Sequence, residues 1–295
     1  MVKIGFIGFG EAAFNISIGL RDEGVSGIVA YDTMADQKPM RELIERRAVE
    51  AQVKLLPSPE DVARYADVVI ISVPSSYTID ACRSIVNSLS RGQIYVDVSA
   101  STPEIKKQEW ELIKDKGVLF SDSAMLGSLP LSRHKVPIIA SGNGAQAFHD
   151  ALTPYGMKIE VVSETPGVAS AIKLVRSIFM KGLAALMFEM LDGAEAHNVS
   201  EYVINSIGTS LDGIPFKDHL NRLVSSTAIH AHRRAAELEG AIKMLEEANL
   251  CSVMTAAARK RHMMLERYEF DKLFIDRQPS DWKEIFSIIK NYDKN

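Results

Sequence analysis

The sequence predicts an α/β fold in which a doubly wound sheet domain is followed by an all-α C-terminal domain. Three observations predict it. Short β-rich runs alternate with helical stretches through roughly the first 160 residues. Most of those runs are continuously apolar, as parallel strands buried on both faces require. After Ser163 the β-like runs all but stop and helical periodicity takes over. The domain boundary is therefore read at 163, giving domains 1–163 and 164–295.

The expected strands are 3–8, 27–32, 67–73, 93–98 and 118–123, with a short edge at 53–56. Between them lie expected helices over 11–22, 40–49, 59–65, 78–88 and 103–116. Ser58 and Pro59 make an N-cap followed by a proline at the first helical position. Segments 136–141 and 158–163, with a helix from Gly144, extend the same alternation. Pro166 and Gly167 then open a long helix reaching about Asp192. Apolar residues nearly encircle it, so it is expected to be buried, against a second chain if not its own. Breaks are expected at Asn198–Ser200, Gly213–Pro215 and Asn249–Ser252.

Composition narrows the function. Of 295 residues, 46% are apolar and 24% charged, which excludes a disordered or collagen-like chain. A formal charge of −4 offers no footprint for nucleic acid or an anionic membrane surface. Two cysteines, Cys82 and Cys251, make no disulfide framework and suit a reducing compartment. The start lacks a signal-peptide pattern, and no apolar run reaches the roughly 20 residues of a membrane span. A cytoplasmic protein is expected.

Function begins at Gly8-Phe9-Gly10-Glu11-Ala12-Ala13, a G-x-G-x-x-A turn between the first strand and the first helix. The first Gly permits the tight turn, the second lets backbone approach a pyrophosphate, and Ala13 still allows close helix–strand packing. Backbone N–H groups at the following helix start favour phosphate. Asp32 ends the second strand, where its carboxylate can accept from a ribose 2′-OH and would repel a 2′-phosphate. No Arg occurs in the stretch 33–38. The reading is a Rossmann-type dinucleotide-binding domain that takes NAD in preference to NADP. Val73, Pro74 and Ser75, at the end of the fourth strand, fall where the switch-point rule puts nucleotide.

Within the long helix, Ser170, Lys173, Ser177 and Lys181 recur at spacings of three and four, one polar stripe on an apolar rod. The bland reading is snorkelling, with lysine stems covering apolar surface. The chemical one is that a lysine desolvated near other cations can take a proton from a substrate hydroxyl. Downstream, His230, His232, Arg233 and Arg234 form a basic cluster. The two histidines would point about 200° apart on a helix, so no metal site is read there. The cluster is either an anion contact through Arg233 or Arg234, or a solvated face paired with Glu237 and Glu239.

The glycine-rich start, VVIISVPSS, YVDVSASTP, DSAMLGS and GVASAIKLVRS together resemble the β-hydroxyacid dehydrogenase family, which includes 3-hydroxyisobutyrate and 6-phosphogluconate dehydrogenases. KLVRSIFMKGLAAL and HAHRRAAELEGA are most similar to a phosphogluconate-dehydrogenase-like subgroup whose C-terminal domain has no assigned function. The resemblance implies that Lys173, in a run matching G-x-G-x-x-x-K, is the general acid/base of hydride transfer. It implies a substrate role for Ser177 in place of the family Asn, with Arg176 beside it as an added anion contact. A second family motif corresponds to Asp122–Ser128 and implies that Gly127 and Ser128 hold a substrate carboxylate, though Met125 and Leu126 replace smaller residues. Ser99 begins the family's Ser-Thr pair, with Ala100 as its second member. Turn chemistry explains these serines equally well. Arg234 stands where the family has Lys-Asp.

The leading expectation is an NAD(P)-dependent oxidoreductase that oxidises the hydroxyl of a small hydroxy or sugar acid, working as a homodimer. The alternatives are an oxidoisomerase of a branched sugar acid, an imine reductase on the same fold, and a non-catalytic dinucleotide-binding sensor.

Overall fold

The computed structural model describes residues 2–294. Eight strands form one sheet in the order β3-β2-β1-β4-β5-β6-β7-β8. They are β1 (Ile4–Ile7), β2 (Val29–Tyr31), β3 (Lys54–Leu55), β4 (Val68–Ile71), β5 (Ile94–Asp97), β6 (Leu119–Met125), β7 (Pro137–Ser141) and β8 (Lys158–Ser163). Each coincides with an expected run, and β3 is the edge. The helices between them are α1 (Glu11–Asp22), α2 (Met40–Ala51), α3 (Pro59–Tyr65), α4 (Thr78–Ile85), α5 (Pro103–Ile113), α6 (Leu129–Ser132) and α7 (Ala145–Leu152).

Alternation along the strands sorts the sheet's two faces. Ile4, Phe6, Val68, Ile70, Val96 and Val98 point into one layer with α1, α2 and α7, through Ile16, Leu20, Ile44 and Phe148. Ile7, Val69, Ile71 and Tyr95 point into the other with α3, α4 and α5, through Val62, Cys82, Ile85 and Ile113. Both layers are apolar and buried, and a fully buried Ile or Phe contributes about 1.5–3 kcal/mol. Gly5 lets α3 approach, since a Cβ there would stand 2.5 Å from Val62 Cγ1.

One expectation needs correction. Segment 136–141 does not continue the parallel pattern, because β7 runs antiparallel to β6, with Asp122 opposite Ser141 and Met125 opposite Ile138. The connection holds only the four-residue α6 and a 3-10 turn, too little for a parallel crossover. β8 then pairs parallel with β7.

After β8 comes α8 (Val168–Ala196), 29 residues and about 44 Å long, followed by α9 (Ser200–Leu211), α10 (Phe216–Ile229), α11 (Ala231–Glu247), α12 (Val253–Glu266), α13 (Phe270–Leu273) and α14 (Trp282–Tyr292). The chain divides into two compact units, one ending at Ile178 and the other starting at Phe179, so the division falls inside α8. In the second unit Ala228, Tyr268, Phe270, Phe274 and Ile285 make a small core. There Glu189 of α8 accepts from Met254 N at 2.8 Å and Thr255 N at 2.7 Å, satisfying the start of α12. Burial alone would raise this carboxyl, but the bonds from Thr255 and Met254 prevail and hold it below the ordinary value.

The long helix is not buried by its own chain, contrary to the first half of that expectation. Ile178 is 75% and Phe188 72% exposed, and Ile172, Val175, Phe179 and Met187 are open as well. No described helix is long and apolar enough to cross a membrane.

Candidate functional site

The sheet's strand order reverses between β1 and β4, and the loops leaving their carboxyl ends diverge there. Such a switch point is where open α/β sheets bind ligands. A cavity of about 700 Å³ lies at this point, walled by Gly8, Phe9, Gly10, Asp32, Met34, Arg47, Val73 and Pro74 among others. Gly8 takes φ +87°, and its N–H donates to Tyr31 O at 2.8 Å. Gly10 precedes α1 with no side chain capping the helix, and nothing stands within 4 Å of where its Cβ would be. The start of α1 therefore offers backbone N–H groups beside open space, the arrangement that suits a phosphate. Glu11 and Ala12 begin that helix, and Ala13 is fully buried against the sheet.

Asp32 does more than end a strand. Its Oδ1 accepts from Met34 N at 2.8 Å and its Oδ2 from Phe9 N at 2.7 Å, tying the glycine turn to the exit of β2. Each oxygen keeps a second lone pair for a ligand hydroxyl. Phe9 contributes through backbone, since its ring is fully buried. Arg47, which the sequence reading did not identify, also lines the cavity, with its guanidinium over the Phe14 ring at 5.6 Å. Its signal was the helical spacing from Ile44, the buried residue one turn earlier that shares the wall.

Other expected residues lie outside this wall. Ser99 Oγ accepts from Val73 N at 3.3 Å, so it reaches the cavity only through the β4 exit. Ser75 begins a 3-10 turn after Pro74. Gly127 and Ser128 follow β6, where Ser128 precedes α6 without a side-chain capping bond. On α8, Ser170 is buried, Lys173 and Ser177 half-buried, and Arg176 and Lys181 exposed, so the polar stripe runs from interior to surface. Arg234 belongs to the second unit, where its guanidinium donates to the hydroxyls of Ser226 and Thr227. Arg233 pairs with Glu237 as expected, but Glu239 pairs with Arg259 instead.

Beneath the β5 and β6 exits lies a polar cluster that the sequence reading missed. Lys106, Glu109, Asp97 and Asp122 are all fully buried. The Lys106 ammonium bonds to Asp97 Oδ2 and donates to the carbonyls of Asp97 and Ser99, both at 3.0 Å. It stands 3.7 Å from Asp122 Oδ1. Asp122 in turn accepts from Ser170 Oγ at 2.6 Å and Ser170 N at 3.0 Å. Ser141 Oγ accepts from Ala169 N at 2.9 Å. The family motif's aspartate is thus the clasp that holds the first turn of α8.

Glu109 is the neutral member. Burial, reinforced by the Asp97 charge, pushes its carboxyl up to about 10. Tyr95 OH donates to its Oε1 at 2.8 Å, while Oε2 meets no donor. A folded value above the unfolded one means that this group favours folding below about pH 4.5 and that the benefit is lost as pH rises. Holding the proton at pH 7 costs about 3 kcal/mol. Glu109→Gln keeps the neutral shape, so it is expected to raise unfolding stability at pH 7, with the gain vanishing near pH 4.5. Urea unfolding at the two pH values checks this, and an equal effect at both would refute it.

Comparison with known proteins bears on the same architecture. Residues 3–101 match the model of the coenzyme F420-dependent NADP oxidoreductases, and residues 194–264 match a domain of unknown function, DUF1932. A conserved protein of unknown function, described as structurally similar to 3-hydroxyacid dehydrogenases, is 33% identical over 90% of this chain and 97% of its own, with a TM-score of 0.61. The chain belongs to the β-hydroxyacid dehydrogenase family. Among curated members, the 2-(hydroxymethyl)glutarate dehydrogenase of Eubacterium barkeri is 25% identical over 71% of this chain and 70% of its own. The imine reductase of Myxococcus stipitatus, solved as a variant with NAD+, shares the fold at 13% identity and a TM-score of 0.75, covering 98% of this chain and 99% of its own. The N-terminal unit is therefore a pyridine-nucleotide-binding fold of the hydroxyacid dehydrogenase type.

Proposed function

We propose that the protein is an NAD-dependent dehydrogenase that oxidises the hydroxyl of a small hydroxy or sugar acid, with Lys173 as general base. The observation that carries this reading is the clasp. Asp122, in the middle of β6 and paired with the last residue of β5, binds Ser170, one helical turn before Lys173. The glycine turn and Ser99 leave β1 and β5 at the same edge of the sheet.

The residues fit a dinucleotide. Open space at Gly10 and the uncapped start of α1 suit the pyrophosphate, and Asp32 offers acceptors to the ribose hydroxyls. When bound, the nicotinamide supplies the hydride-accepting centre. Lys173 takes the proton from the substrate hydroxyl, and general-base catalysis of this kind contributes roughly 10²–10⁴-fold. Gly127, Ser128, Ser177 and Arg176 are assigned to the substrate's carboxylate end. Ser99 steadies Val73 beside the cofactor.

Asp32→Ala is expected to weaken NAD+ about tenfold or more, the worth of a charge-assisted hydrogen bond, and to affect NADP+ less because Arg47 remains in the wall. Titration of both dinucleotides checks it, and an equal loss for the two would assign cofactor choice elsewhere. The exposed apolar residues of α8 and α9, Ile178, Phe188 and Tyr202 among them, support a homodimer. The test of function is NAD+ reduction, followed optically, against three- to six-carbon hydroxy and sugar acids. Dinucleotide binding without turnover on any of them would move the reading to imines or rearranging sugar acids.

A further inference from the structure

A fully buried lysine needs a reason to exist. Lys106 and Glu109 lie one turn apart on α5, and both are fully buried. Lys106 is the one described cation against two buried carboxylates, Asp97 on β5 and Asp122 on β6, which are paired in register. Two carboxylates held so close in a dry interior repel strongly, and removing the cation between them would leave uncompensated buried charge.

What those carboxylates hold gives the cluster its direction. Asp97 Oδ1 accepts from Ser99 N at 2.7 Å, and the Lys106 ammonium donates to Ser99 O at 3.0 Å. The turn carrying Ser99 is thus fixed from both backbone ends, and Ser99 passes that constraint to Val73 in the cavity wall. Asp122 accepts from both donors of Ser170 in the first turn of α8, and its Oδ2 also accepts at 3.2 Å from Ser141 Oγ, which holds Ala169 N of the same turn. A carboxylate at a helix start is favoured by the helix dipole, and more so away from water. One ammonium therefore ties the turn beside the cofactor wall to the start of the helix that bears Lys173.

We propose that Lys106 is a positioning residue for Lys173. By bridging Asp97 and Asp122, it holds Asp122 in place as the clasp of α8 and fixes the register at which Lys173 leaves the sheet edge. This rests on the reading of Lys173 as general base, and it adds a residue that touches neither substrate nor cofactor.

The test uses NAD+-loaded protein in four forms: wild type, Lys106→Met, Asp122→Asn and Lys173→Ala. Lys106→Met removes the charge at similar length and risks misfolding. Asp122→Asn is the safer variant, because it leaves Lys106 and Asp97 as a balanced pair and keeps one acceptor for Ser170. The expected result is a fall in kcat of at least about tenfold for both, with KM for NAD+ within about twofold of wild type in Asp122→Asn, which leaves the bonds of the Ser99 turn to Asp97 and Lys106 in place. The second readout needs no substrate. With lysines reductively methylated using ¹³C-formaldehyde, the Lys173 resonance, assigned by its loss in Lys173→Ala, is expected to shift in Asp122→Asn. An unshifted resonance overturns the proposal, as does kcat within about twofold of wild type in Asp122→Asn. If Lys173→Ala retains full activity while the resonance shifts, the general-base reading falls and the positioning stands. If no hydroxy acid turns over, the resonance alone decides.

Discussion

Lys173→Ala is expected to lower turnover of the hydroxy-acid substrate by roughly 10²–10⁴-fold while leaving NAD+ affinity unchanged. The expectation separates two roles of one side chain. A snorkelling lysine would lose only the packing of its stem, and its removal would change stability slightly and turnover not at all. A general base acts in the transition state, so its removal lowers kcat and kcat/KM together. Lys173 is half-buried, and it follows by one turn the residue clasped by Asp122. That anchorage favours the second role, because a side chain that must meet a hydroxyl needs a fixed point of departure. The cavity wall at Gly8, Asp32 and Arg47 does not include Lys173, so binding should persist in the variant. The assay pairs steady-state kinetics with dinucleotide titration. Full activity in Lys173→Ala would remove the assignment, and a parallel loss of NAD+ binding would turn it into a structural effect.

The sheet was legible because its strands are continuously apolar and its turns glycine-marked, as in GFIGFG and VVIISV. Such runs have one stable destination, a sheet covered on both faces. The direction of β7 was not legible, since VPIIAS reads the same in either sense and only the short link around α6 decides it. The buried cluster was hidden for a different reason. PEIKKQEWELIKDK reads as a solvated amphipathic helix, and its partners Asp97 and Asp122 belong to neighbouring strands. Charge compensation across strand register has no periodicity to betray it. Asp122 was visible as part of a family motif, but its work as a helix clasp depends on Ser170, 48 residues away. Arg47 escaped because cofactor discrimination was sought just after Asp32, whereas α2 folds back to bring a later residue to the wall.

Gly8→Ala and Gly10→Ala are expected to fail in different ways. Gly8 holds φ +87°, a region that costs a side-chain-bearing residue about 1–2 kcal/mol. Its new Cβ would stand 2.4 Å from Ser72 O and 2.7 Å from Val73 Cγ1. Neither can retreat cheaply, because Ser72 N is bonded to Ile7 O at 2.8 Å and β4 is paired along β1 in the middle of the sheet. Strain and clash together place the loss at about 3 kcal/mol or more, a large share of a domain's stability. Gly10 has φ −75° and nothing within 4 Å of its Cβ position, so Ala is tolerated there by the chain itself. The methyl instead enters the space offered to the pyrophosphate. Gly10→Ala should therefore melt within a few degrees of wild type yet bind NAD+ far more weakly, by about a hundredfold. Gly8→Ala should lose the melting temperature first and binding with it. Thermal melts and NAD+ titrations on the two variants make the comparison. Unimpaired NAD+ binding in Gly10→Ala would mean that no phosphate approaches this turn, and the dinucleotide would have to be sought elsewhere.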